Sequence, residues 1–331
     1  RRSIREVSDR MPERNPPGSP DASAGRITAL LKTGLRIAII VVVIVMITRI
    51  IRRDWDELSS ALSAASARYL ALAFLCFICA NLTIVFCWHS VLRILGSKPS
   101  FMTSFRSYFY SGMTKYIPGK IWGTTFRIVV SGKEGVPEGT AALGVLFETI
   151  LLIASAGLIG GIAFSQLNLG IPVSIRWLSL LSPLTLLLLH PAILRISLLW
   201  LGKRYARLFS IPSIYPDFRD LLLLLWLYCG IWVCNGLGLF FLAASVREPI
   251  MDEFVSFVAG STLAWLAGFV TVITPAGLGI REIVLTSLIG PMAGPGFAAL
   301  MAVMSRIMMI GAEILGAVIS VVHQLRNDAA P

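Results

Sequence analysis

Apolar residues run along this chain in long unbroken stretches, not in the alternation of a half-buried strand or the one-sided stripe of a surface helix. Residues 69–92, 177–194, 221–246, 254–280 and 283–305 contain no Asp, Glu, Lys or Arg, and each is near the roughly 20 residues that a bilayer-crossing helix needs. Two further stretches tolerate charge. Residues 37–48, extended by Leu31 and Ile51, are flanked by Arg36 and Arg49, where long side chains snorkel to the head groups. Residues 140–164 carry a single acid, Glu148. Continuous apolarity excludes a closed barrel, whose strands alternate. The pattern predicts an all-α polytopic membrane protein with about 6 to 8 transmembrane helices.

Polar residues then mark breaks in this pattern. YIPGKIWG, around Pro118 and Gly119, is followed by an apolar segment containing Ala141, Ala142 and Leu143. TPAGLGIRE, around Pro275, Gly277 and Gly279, is followed by one containing Ala298, Ala299 and Leu300. Pro118 to Ala141 and Pro275 to Ala298 are both 23 residues, so one offset of 157 aligns both breaks and both helices. Proline removes an amide donor, and glycine permits bends that other residues resist. Broken backbone cannot face lipid and must be buried or line a hydrated cavity. The sequence thus predicts two re-entrant or broken-helix elements, in copies spanning about 101–164 and 254–323. Counting spans between them makes the copies inverted, an arrangement that places transporter binding sites near the bilayer midplane.

Composition agrees with lipid as the solvent: 56% of the 331 residues are hydrophobic, 14% are charged and mean hydropathy is +0.79. The net charge of +11 would suggest nucleic acid in a soluble domain. Here topology accounts for it. With a cytoplasmic N-terminus, 21 Lys and Arg fall on the inner side and 6 on the outer, Arg281 and Arg306 being unassigned, as the positive-inside tendency requires. The expectation is a multi-pass cell (inner) membrane protein with both termini cytoplasmic, its basic loops contacting anionic phospholipids and no nucleic acid. Residues 1–28 read as a disordered cytoplasmic tail, 29–326 as a single membrane domain and 327–331 as a short C-terminal tail. The five cysteines lie in apolar spans and imply no disulfide framework. Neither metal-ligand spacing nor a catalytic triad is legible, and no cofactor is expected.

Ionisable groups inside spans cost about 2.5–3.5 kcal/mol each on insertion scales and need partners. Glu148, Arg306 and Glu313 are such groups. The offset of 157 sets Glu148 against Ser305, predicting that Glu148 and Arg306 lie at equivalent depths and pair across the centre. Arg306 and Glu313, seven apart, share a helix face. Lys120, Arg127 and Arg281 flank the two breaks, where exposed helix ends offer amide donors to an anion.

YIPGKIWG, the acid of LFETILL and TPAGLGIRE, in that order and spacing, resemble the lysylphosphatidylglycerol synthase transmembrane-region family, also called flippase-like. The resemblance covers about residues 31–326. It implies movement of a lipid or lipid-linked head group between leaflets, with Tyr116, Pro118, Gly119, Lys120, Glu148, Pro275, Gly277, Gly279, Arg281, Glu282 and Arg306 as site residues. The best-known members join this region to a soluble aminoacyl-transfer domain. The sequence here ends soon after its last predicted span, so the expectation is a stand-alone member that is not an enzyme. No G-x-x-x-x-G-K-[ST] phosphate loop is present to bind ATP. The expected cargo is an anionic lipid or a polyprenyl-phosphate intermediate. The alternatives are a membrane-embedded polyprenyl-phosphate-sugar glycosyltransferase using Asp54 and Asp56, or a scaffold for an envelope-lipid synthase.

Overall fold

The computed structural model describes residues 59–60, 63, 65–114, 121–167, 177–189, 217–248, 251–271, 277 and 279–328. The N-terminal tail, the 31–51 span, Asp54 and Asp56 lie outside the described residues. Within them, eight α-helices fall into two runs of four. The first comprises α1 (Ala67–Ile94), α2 (Phe101–Met113), α3 (Ile121–Lys133) and α4 (Glu138–Ser165). A 3-10 helix, Trp177–Leu189, follows and packs on α4. The second run comprises α5 (Phe218–Val246), α6 (Phe254–Val270), α7 (Ile280–Ala293) and α8 (Pro295–Asp328).

Local chemistry sets the helix ends. The Ser100 hydroxyl caps α2 by accepting from the Thr103 amide at 3.0 Å, satisfying one of the orphan donors of a first turn. Gly294, at φ +89, separates α7 from α8, and Pro295 opens α8 at the position where its missing N–H is harmless. The break between α7 and α8 corrects one expectation. The charge-free stretch 283–305 is not one span, because Pro291, Gly294 and Pro295 end one helix inside it and start another.

Five helical segments are long and apolar enough to cross a bilayer among the described residues: α1, α4, α5, Met251–Val270 and α8. By contrast α2, α3 and α7 have 13, 13 and 14 residues, about 20 Å at 1.5 Å per residue, against a hydrocarbon core of about 30 Å. They form hairpins instead. Arg127 of α3 reaches Ser111 of α2 while Arg106 of α2 reaches Glu134 beyond the end of α3, so α2 and α3 run antiparallel. In the second run Gly268 meets Arg281 and Gly260 meets Leu285, so α6 and α7 do the same.

The two runs share one plan. Met113 and Val270, which end α2 and α6, are 157 residues apart, as are Glu138 and Pro295, which open α4 and α8. Packing is reciprocal: α4 lies on α6 as α8 lies on α2, and α4 on α5 as α8 on α1. Trp232 of α5 donates to the Ser155 hydroxyl of α4 at 2.8 Å, and at nearly the matching level of the other copy Phe74 of α1 packs against Gly311 of α8, one residue from the strict offset on each helix. The leading helices α1 and α5 are antiparallel, since the Ser66 amide donates to the Ser245 carbonyl at 2.8 Å, Phe77 fills the space at Gly238, and Val91 and Leu95 meet Leu221 and Leu224. The copies are therefore inverted, and α1 with α5 forms the seam between them.

Candidate functional site

Each copy brings a cation and an acid together beneath its hairpin. In the second copy, α7 begins with two glycines in the left-handed region, Gly277 (φ +71) and Gly279 (φ +84). A Cβ on Gly277 would stand 2.8 Å from the Gly268 Cα, so the hairpin closes this tightly only with glycine there. Alanine at Gly277 is expected to lower stability by about 1–3 kcal/mol, the usual cost of a side chain at positive φ, which thermal unfolding in detergent would register. Glu282 locks the turn: one carboxylate oxygen accepts from the Gly279 amide at 2.7 Å, and the other accepts from the Arg306 guanidinium of α8.

This ion pair lines a cleft of about 730 Å³, counted with its open mouth. Arg281, Glu282 and Arg306 bring two positive charges and one negative. Trp232 and Trp265 form an aromatic wall, their rings 4.8 Å apart, and Asn235, Ser261 and Ser305 add polar groups. Phe77 reaches in from α1, so the seam contributes to the lining. The N-terminal end of α7 opens at the same place, its dipole favouring an anion there.

The corresponding place in the first copy is filled. Arg127 of α3 forms an ion pair with Glu148 of α4, donates to the Ser111 hydroxyl at 3.0 Å, and lies over the rings of Tyr108 at 4.7 Å and Trp88 at 5.2 Å. Tyr228 of α5 is fully buried beside them. Glu313 of α8 is buried as well, and its charge reaches the Tyr108 hydroxyl.

Of the residues singled out in the sequence, the structure gathers Gly277, Gly279, Arg281, Glu282 and Arg306 at the cleft and places Arg127, Glu148 and Glu313 at the filled site. Tyr116, Pro118, Gly119, Lys120 and Pro275 lie outside the described residues. Glu148 and Arg306 face inward, as expected of intramembrane charge. They are not paired to each other: Glu148 takes Arg127 and Arg306 takes Glu282. The short hairpin helices α3 and α7 lie on α4 and α8 in their own copies and supply the opposite charge over a shorter reach. Glu313 likewise lies among first-copy groups, although it shares a helix with Arg306.

Sequence reasoning missed the aromatic members, Trp88, Tyr108 and Tyr228 at the filled site and Trp232 and Trp265 at the cleft. One signal was present: Tyr108 and Trp265 are 157 apart, so running the offset back through α2 and α6 pairs two aromatics at equivalent positions.

Among known proteins, the family model described as Lysylphosphatidylglycerol synthase TM region matches residues 34–315. No individual curated protein matches the chain.

Proposed function

This chain belongs to the lysylphosphatidylglycerol synthase TM region family, and from that premise we propose that it carries an anionic lipid, or a polyprenyl-phosphate-linked intermediate, between the leaflets of a cell (inner) membrane. The observation that supports this reading most is the second-copy cleft, where Arg281 and Arg306 stand against one acid, Glu282, beside a helix N-terminus. Charge-assisted bonds from guanidinium to phosphate are among the stronger polar contacts, and the planar fork of arginine suits them. The apolar and aromatic remainder of the lining accommodates the glycerol or isoprenoid portion next to the phosphate. Opposed inverted copies, one open and one filled, suit alternating exposure of a single site to the two leaflets. Transport in this scheme is downhill or ion-coupled, and the termini are cytoplasmic.

The test is leaflet exchange in reconstituted vesicles containing labelled phosphatidylglycerol or a labelled polyprenyl phosphate, followed by quenching of outer-leaflet label. Exchange faster than in protein-free vesicles is the expected result, and no acceleration for any anionic or polyprenyl-phosphate lipid would overturn the proposal. The transferase alternative makes a different demand in the same assay. Alanine at Asp54 and Asp56 should leave exchange unchanged if the protein is a translocator. Loss of function with normal expression would instead favour a catalytic role for those acids.

A further inference from the structure

We infer that the filled site of the first copy is a binding site for an organic cation, a guanidinium or a primary ammonium, and that Arg127 occupies it in this state as a tethered ligand. Three observations carry this beyond an ordinary structural ion pair. The first is the chemistry of the walls. Trp88 and Tyr108 offer ring faces and Glu148 a carboxylate of which only 5% is exposed. Two aromatic faces beside a carboxylate in a desolvated chamber are what recognises an alkylated cation, and Glu313, near Tyr108, adds to the negative charge.

The second is an unused group. The Tyr228 hydroxyl is buried with no hydrogen-bond partner among the described residues, within electrostatic reach of Glu148 and Arg127. Arg127 thus leaves part of the chamber's polar capacity unmet, and a buried hydroxyl left unpaired costs free energy. The third is the provenance of the occupant. The walls come from α1, α2, α4 and α5, whose contributing residues Trp88, Glu148 and Tyr228 are buried. Arg127 comes from α3, a 13-residue helix that exposes Trp122, Phe126 and Val129. The inverted counterpart of the chamber is the cleft of α5–α8, where the hairpin arginine, Arg281, leaves open space beside Glu282 and Arg306. Withdrawal of α3 would leave the chamber vacant and acidic.

Every charged or titratable group identified around the chamber fits this charge balance. Cys87 and Trp88 face it from α1, Tyr108 and Ser111 from α2, Glu148 from α4, Tyr228 from α5 and Glu313 from α8. Arg127 is the cation that Glu148, Tyr108 and Tyr228 face. The inference does not depend on lipid movement, and its test is a binding measurement.

The experiment vacates the chamber and refills it. Arg127→Ala in the full chain, purified in detergent, is titrated with methylguanidinium or ethylammonium chloride while thermal unfolding is followed. A saturable rise in unfolding temperature at millimolar cation is expected. Wild-type protein should need a much higher concentration, because the tethered guanidinium competes at high effective concentration. The double variant Arg127→Ala, Glu148→Gln should not respond. Repeating the measurement in nanodiscs of phosphatidylglycerol alone, or with added phosphatidylethanolamine, separates the two sources of such a cation. Stabilisation by the ethanolamine lipid without added salt assigns the site to a head group, and stabilisation by the soluble ion alone assigns it to a free solute. No response in Arg127→Ala, or an equal response with and without Glu148, overturns the inference. Arg127→Met keeps the aliphatic stem where Arg127→Ala fails to fold. Failure of both also overturns it, since a site that can be vacated must survive without its guanidinium.

Discussion

Replacing Glu148 with leucine is expected to lower the unfolding free energy by about 3–5 kcal/mol, the range seen when one partner of a buried ion pair is removed. The cost falls on Arg127. Its side chain is only 16% exposed, and a guanidinium does not shed its proton to escape burial. The reciprocal change, Arg127→Met, should cost less, because a stranded carboxylate can neutralise itself by taking up a proton. The double variant Glu148→Leu, Arg127→Met should regain most of the loss, since paired apolar groups of similar size often match or exceed a buried ion pair. A double-mutant cycle in detergent, read by chemical or thermal unfolding, measures the coupling. If Glu148→Leu destabilises no more than a surface substitution, the close packing of Arg127 among Trp88, Tyr108 and Glu148 is not the arrangement in solution.

Arg281→Ala is expected to slow lipid exchange in vesicles by roughly 10-fold to 100-fold while leaving the protein folded. A hydrogen bond to a charged group contributes about 1.5–3 kcal/mol, and each 1.4 kcal/mol is a factor of ten. The tie from Glu282 to Arg306 holds the α7 turn without Arg281, whose contacts with Gly268 and Met309 are lost, so thermal unfolding is followed alongside exchange. Arg306→Ala makes the contrast, removing a cleft cation and also leaving Glu282 without its α8 partner, so it should lose both exchange and stability. Lysine at position 281 keeps the charge but not the planar fork, and should restore only part of the rate. Wild-type exchange by a well-folded Arg281→Ala protein would remove the cleft as the head-group site.

Much of the fold is legible in the amino-acid pattern. A bilayer admits few backbone solutions, so uncharged runs near 20 residues become helices, and Pro-Gly breaks between them must be sheltered by protein. The offset of 157, found from two short motifs, also predicts the shared ends of α2 and α6 and the shared starts of α4 and α8. Gly277 and Gly279 stood out for the same local reason, since positive φ is a property of single residues. The stretch 283–305 forms parts of two helices because Pro291, Gly294 and Pro295 break it, which charge-free length alone does not reveal.

Pairing was a different matter. Glu148 and Arg306 occupy neighbouring positions under the offset, yet each is neutralised from its own hairpin by Arg127 or Glu282. Which cation meets which acid depends on helix rotation and on how far α3 and α7 fold back over α4 and α8, and no local pattern encodes either. The aromatic walls follow the same rule, since Trp88, Tyr108 and Tyr228 come from three helices and become one chamber only after α1 and α5 pack antiparallel. The amino-acid sequence alone thus determined the helical membrane class, the breaks and the repeat, all consequences of local backbone chemistry in an apolar solvent. Tertiary structure alone decided that one copy holds an open cleft and the other an occupied chamber, because contacts between distant helices set that difference.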